Sequence, residues 1–80
     1  MLDNRRLSAL ASGESAIIAG IDGERIFRRR LQEMGFLHGT RVRAGKVAPL
    51  GDPLTYELRG YEICLRREDA GRIRLIGESG

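Results

Sequence analysis

Residues 22–40 carry a helical period that ends in a hard stop, and this restricts the fold more than any other stretch of the chain. Phe27, Leu31 and Met34 recur at i, i+4 and i+7, which stacks them on one helix face. Arg25, Arg28, Arg29, Gln32 and Glu33 fall on the other side. Asp22 is placed to act as N-cap, its carboxylate accepting from backbone N–H groups that lack intrahelical partners. Glu24 adds negative charge to the first turn, where the helix dipole favours it. Gly35 then ends the helix, because a left-handed C′ residue is strained for any side chain with a Cβ. In a Schellman ending Phe36 is C″ and Leu31 is C3, so their side chains meet. After Gly39 the chain reads as strands and turns. The pattern predicts one amphipathic helix closing over a small sheet.

The strands follow from alternation. Residues 3–13 read as a short turn or helical piece, with Leu7 and Leu10 inward, Ser8 as a cap and Gly13 as its end. In residues 15–21, Ile17, Ala19 and Ile21 alternate with Ala16, Ile18 and Gly20, which predicts a central strand buried on much of both faces. In residues 41–47, Arg41 and Arg43 oppose Val42 and Ala44, and Gly45 inside the pattern predicts a bulge that resets the phase before Val47. Residues 48–53 hold two prolines, a glycine and an aspartate, a loop composition. Residues 54–59 form a half-buried strand with Leu54, Tyr56 and Leu58 inside, and Gly60 turns it into residues 61–66. One helical turn at residues 68–71, a last strand at 72–76 and a frayed tail at 77–80 complete the chain. About five short strands with one helix after the first make a mainly β fold, a small SH3-like barrel. Closure suits so short a chain, because it removes most exposed strand edges.

Eighty residues without a break in composition predict a single domain, residues 1–80. The longest apolar run, near residues 16–19, is far too short to span a bilayer, and the N-terminus lacks a signal-peptide pattern. A single cysteine, Cys64, cannot close an internal disulfide, which suits a reducing, cytoplasmic setting. The net charge is +3, and of fourteen basic residues only Lys46 is lysine. Arginine pairs bidentately with carboxylates and phosphates. That richness fits an acidic partner or nucleic acid, but it fits better a GC-rich genome whose codons favour arginine.

Three stretches in order, residues 28–40 (RRRLQEMGFLHGT), 48–53 (APLGDP) and 59–70 (RGYEICLRREDA), resemble the ferrous iron transport protein A (FeoA) family of bacteria and archaea. The spacing between them matches too, so the resemblance covers nearly the whole chain. It implies an SH3-like barrel in the cytosol. It also implies a partnership with FeoB, the membrane protein with a GTPase domain that carries ferrous iron. The same module ends the metal-dependent repressors related to the diphtheria toxin repressor. No winged helix-turn-helix stands in this sequence, so a stand-alone FeoA-like protein is expected. His38 occupies a turn position where the family more often has proline, which makes this turn less rigid.

Candidate sites are few. A metal site needs several converging ligands, and His38 and Cys64 are far apart with no C-x-x-C or H-x-x-H. His38 is therefore expected as an exposed turn residue and Cys64 as a packed, inert thiol opposite Ile63 and Leu65. Neither a metal nor any other cofactor is expected. No phosphate-binding loop and no catalytic set is visible, so the chain is read as no enzyme and any GTPase chemistry is assigned to the partner. On the helix Arg28 is expected to pair with Glu24, Arg29 with Glu33, and Arg30 to lay its stem over the core. Partner contacts are assigned to Arg28 and Arg29 on the helix and to Pro49, Leu50 and Asp52 in the loop, with Leu50 exposed as an apolar anchor and Asp52 first of all a turn former. The leading reading is a non-enzymatic module that binds the cytosolic part of the FeoB-like transporter. The alternative is a nucleic-acid-binding barrel. Against it stand eleven interleaved acids and only four aromatic residues, so no nucleic acid is expected. A signalling-type SH3 groove for proline-rich peptides ranks last, since the chain has no tryptophan.

Overall fold

The computed structural model describes residues 5–76. The expected tail at 77–80 and the first residues of the N-terminal piece lie outside the described residues. Five strands form one antiparallel sheet: β1 (Ser15–Ile21), β2 (Arg41–Val47), β3 (Leu54–Leu58), β4 (Tyr61–Leu65) and β5 (Ile73–Leu75), in the order β4-β3-β2-β1-β5. Helix α1 (Arg25–Glu33) joins β1 to β2, and the single turn α2 (Arg67–Ala70) joins β4 to β5. A 3-10 turn at Leu7–Ala9 precedes the sheet. Leu7 and Leu10 are buried as expected, but no side chain caps the turn: Arg6, not Ser8, holds that position.

Alternation sorts the side chains. Val42 and Ala44 of β2 and Leu54, Tyr56 and Leu58 of β3 are buried, while Arg41, Arg43 and Glu57 face out. The register of β2 on β3 shifts between Ala44 and Val47, the bulge that Gly45 foretold. A Cβ on Gly45 would stand 3.3 Å from the Thr55 carbonyl oxygen, so the bulged strand passes close to β3. In β1, expected to be buried on much of both faces, Ala16, Ile18 and Ile21 are buried while Ile17, Ala19 and Gly20 are half-buried. Ala16 and Ile18 point inward, a second shift falls between Ile18 and Gly20, and Ile21 then returns to the core. The reason lies across the sheet. The Arg74 side chain passes over Gly20, where any Cβ would overlap its guanidinium, and donates to Asp22 at 2.9 Å.

Asp22 is thus no helix cap. Arg6 donates to its other carboxylate oxygen at 2.5 Å, so Asp22 ties the N-terminal segment, the end of β1 and β5 together. These hydrogen bonds, Arg6 first, hold its carboxyl below the ordinary carboxylate range. Helix α1 starts later, with Glu24 as N-cap and no side-chain cap bond. Glu24 therefore sits outside the first turn. Its carbonyl accepts the Arg28 N–H at 2.9 Å.

The far end of α1 is as foreseen. The Phe36 N–H donates to the Leu31 carbonyl at 3.1 Å and the Gly35 N–H to that of Gln32 at 3.0 Å, the paired bonds of a Schellman ending. Gly35 has φ +110°. A Cβ there would overlap the Tyr61 hydroxyl, which donates to the Met34 carbonyl. Leu31 and Phe36 are buried in the core, with Phe27 and Met34 packed at its margin. Tyr56 is buried at the centre, its hydroxyl donating to the Leu7 carbonyl at 3.3 Å. Burial pushes that phenol up to about 12.

The edges are treated differently. Arg6 bridges Arg74, and the Leu75 N–H donates to the Arg5 carbonyl at 3.1 Å, so the N-terminal segment covers β5. On the opposite edge β4 presents Cys64, which is exposed rather than packed. It does point away from Leu65, as expected. Its thiol meets the Thr55 hydroxyl at 3.6 Å, across the strand pair.

Candidate partner-binding surface

Loop 48–53 is a pinned structure. The Gly51 N–H donates to the Ala48 carbonyl at 2.8 Å, closing a turn that holds Pro49 and Leu50 at its tip. Gly51 takes φ +86°, and the Asp52–Pro53 peptide is cis. Arg67, the first residue of α2, clamps the turn from outside. Its Nε and one terminal nitrogen donate to the Gly51 carbonyl at 3.2 and 3.0 Å. Asp52 returns the contact, its carboxylate accepting the Arg67 backbone N–H at 2.9 Å. A carboxylate there also satisfies an orphan N–H at the start of α2. The Gly51 backbone and the Asp52 carboxylate are engaged, and Leu50 is left 96% exposed at the tip. Val47, half-exposed where the β2 bulge turns it outward, adds apolar surface three residues earlier in the chain.

The assigned residues divide into two groups. Pro49 and Leu50 are exposed side by side in the loop, whereas the Asp52 carboxylate braces α2. Arg28 and Arg29 lie exposed on α1. Arg29 reaches Glu33 at 3.5 Å, but among the described residues no ion pair joins Arg28 to Glu24. No hydrogen bond or ion pair among the described residues links the helix arginines to the loop. The short helix α2 borders both regions: Arg67 holds the loop, while Glu68 and Asp69 line a groove with Glu24 and Phe27 of the α1 end. Arg72 stacks over Phe27 there, 6.0 Å from the ring centre.

Ile26 was missed from the sequence. It is 75% exposed, on the stripe that carries Arg29 and Glu33. The signal was present, because at about 100° per residue Ile26 falls roughly 140° from Leu31. His38 is exposed in its turn. No group of three or more His, Cys, Asp or Glu side chains among the described residues is arranged to hold a metal ion.

The FeoA domain family matches residues 5–76. The chain belongs to the FeoA family. A relative in Porphyromonas gingivalis is a fusion of Fe(2+) transport protein A with the Fe(2+) transporter FeoB, 44% identical over 70 residues; the match takes in 88% of this chain and 8% of that protein. Among solved structures, the FeoA protein of Chlorobium tepidum superposes with a TM-score of 0.85 at 32% identity, covering 95% of this chain and 72% of that one. Stenotrophomonas maltophilia FeoA, solved with zinc and described as a procaryotic SH3 domain protein, gives 0.77 at 29% identity over 89% of this chain and 88% of that one. A manganese-dependent transcriptional repressor shares the fold at 17% identity. The family is thus one of ferrous iron transport, and the five-stranded fold of this chain is of the SH3-like kind described for the Stenotrophomonas protein. No helix among the described residues is long and apolar enough to cross a membrane.

Proposed function

We propose that this chain is a non-enzymatic accessory module that binds the cytosolic part of a FeoB-like GTPase transporter, with Leu50 as the anchor of the contact. The observation that carries the reading is the loop itself: a turn braced by Arg67 and Asp52 that holds one large apolar side chain 96% in solvent. A stiff loop loses little entropy on binding, and an exposed apolar tip gains by leaving water. Arg28 and Arg29 on α1 offer guanidinium groups to acidic residues of the same partner. The fusion in Porphyromonas gingivalis supports the partner, since it puts an FeoA portion and an FeoB portion in one polypeptide.

The test is Leu50→Ala, measured by titration calorimetry against the cytosolic domain of the FeoB-like protein and by thermal melting. Loss of an interface anchor costs over about 1 kcal/mol, roughly fivefold in affinity. The melting temperature stays close to wild type. Undiminished affinity in a folded variant removes Leu50 from the interface.

A further inference from the structure

The two edges of the sheet differ in a way that the transporter reading does not use. The N-terminal segment covers β5, whereas β4 is uncovered among the described residues. The hairpin turn of Arg59 and Gly60 fixes which groups β4 leaves free. Both residues take positive φ, 52° and 83°, as in the two-residue turn whose flanking pair, here Leu58 and Tyr61, is hydrogen-bonded. Bonded and non-bonded pairs then alternate, so Tyr56–Ile63 and Leu54–Leu65 are bonded as well. The N–H and C=O groups of Glu62 and Cys64 therefore point away from β3, and none has a partner among the described residues. Pairing with β3 runs from Tyr61 to Leu65 without a bulge, and no proline or lysine interrupts it. Bulges, prolines and lysines are the usual means by which an edge strand is kept from pairing.

We infer that this edge pairs antiparallel with β4 of a second copy of the chain, about a two-fold axis at Cys64. Charge selects both the occupant and the register. Glu62, Cys64 and Arg66 alternate with Ile63 and Leu65 and are all exposed. Arg66 lies one residue beyond β4, but its backbone is still extended, with φ −66° and ψ 145°. Neither Glu62 nor Arg66 has an ion-pair partner among the described residues. Glu62 moreover stands opposite Glu57, a like-charge pair that a cation beside Glu62 offsets. With the axis at Cys64, Glu62 falls opposite Arg66 of the second copy and Arg66 opposite its Glu62, so two opposite-charge pairs form by symmetry. An axis at Glu62 sets two glutamates against each other, and an axis at Ile63 sets Glu62 against Cys64, so neither gains these pairs. At Cys64 the two copies exchange N–H···O=C bonds, and half-buried Ile63 meets Leu65 of the second copy on the inner side of the sheet. The Arg66 carbonyl already accepts the Asp69 and Ala70 N–H groups, so the ladder ends there.

This pairing uses none of Arg28, Arg29, Pro49 and Leu50 and is tested without the transporter. Sedimentation equilibrium of the full chain, with reductant and at low salt, should show a reversible monomer–dimer equilibrium between about 10 µM and about 1 mM. Glu62→Arg and Arg66→Glu each turn both symmetric attractions into repulsions, and each should weaken the dimer about tenfold or more. Two further samples set every arginine against a glutamate again: the double variant Glu62→Arg/Arg66→Glu, and an equimolar mixture of the two single variants. Both should dimerise within about threefold of the wild-type affinity. Thermal melts establish that each variant is folded. A chain that stays monomeric throughout the range overturns the inference and leaves the edge to a different strand. A dimer that the single reversals leave intact overturns it too, as does one that neither the double variant nor the mixture restores.

Discussion

Loop 48–53 ties Gly51 and Asp52 to Arg67 and turns its large apolar side chain outward, whereas α1 sends Leu31 inward and its arginines outward. Each has an anchor that a single substitution can cut. For the loop this is Arg67 on the Gly51 carbonyl; for the helix it is the Schellman stop at Gly35 beside Tyr61. The helix is held by burial and backbone bonds, both local consequences of its own residues. Side-chain hydrogen bonds to a segment fifteen or sixteen residues away hold the loop. Strength should therefore differ, and so should the cost of cutting each anchor.

The larger effect is expected at the helix. Gly35→Ala places a Cβ against the Tyr61 hydroxyl and 3.1 Å from Leu58 Cδ1, on a backbone with φ +110°. Strain of this kind, added to the clash, should lower stability by about 2 kcal/mol in chemical denaturation. Loss of less than about 0.5 kcal/mol would show that the helix end tolerates another geometry and that its anchor lies elsewhere. At the loop, Arg67→Ala removes two hydrogen bonds from a solvent-exposed side chain. About 1 kcal/mol is the expected cost. The sharper readout is amide exchange: the Gly51 N–H, bonded to Ala48, should exchange faster while the amides of α1 do not. Unchanged exchange at Gly51 would mean that the turn holds itself and that the clamp is incidental.

The same division explains what could be read in the sequence. The Schellman stop, the β2 bulge at Gly45 and the inward set Leu54, Tyr56 and Leu58 are written in neighbouring residues, so local patterns disclosed them. Asp22 was misread because a carboxylate three residues before the first helical residue is indistinguishable, in sequence, from a cap. Its partners Arg6 and Arg74 come together only through the pairing of β1 with β5 and the N-terminal bridge. The β1 irregularity has the same source, since nothing local to Gly20 announces that Arg74 will cross it. Cys64 was misplaced because alternation fixes which way a side chain points but not whether anything covers that face. On the edge strand β4 it is exposed beside Thr55. The exposure of Leu50 was legible from loop composition, but the role of Asp52 as a brace for α2 needed the fold.

The smallest expected stability effect separates the two exposed apolar residues, Leu50 of the loop and Ile26 of the helix. Both side chains lie mostly in water, at 96% and 75% exposure, so truncating either removes little burial. In the loop, Leu50→Ala should change stability by less than about 0.5 kcal/mol, as surface substitutions do. On the helix the backbone preference enters as well. Alanine is the better helix former, because isoleucine loses side-chain freedom against the preceding turn. Ile26→Ala should therefore leave the protein unchanged or more stable by a few tenths of a kcal/mol, read as a small rise in melting temperature. If instead it destabilises by more than about 1 kcal/mol, Ile26 packs in solution against something, and the helix has no apolar residue to spare for a partner. If it is neutral, the contrast can be carried to binding. A loss of affinity with Leu50→Ala and none with Ile26→Ala puts the apolar contact on the loop and leaves α1 with a polar role through Arg28 and Arg29. The reverse result moves the anchor to the helix stripe of Ile26, Arg29 and Glu33. Equal losses make one surface of the two, with α2, which already borders both, at its centre.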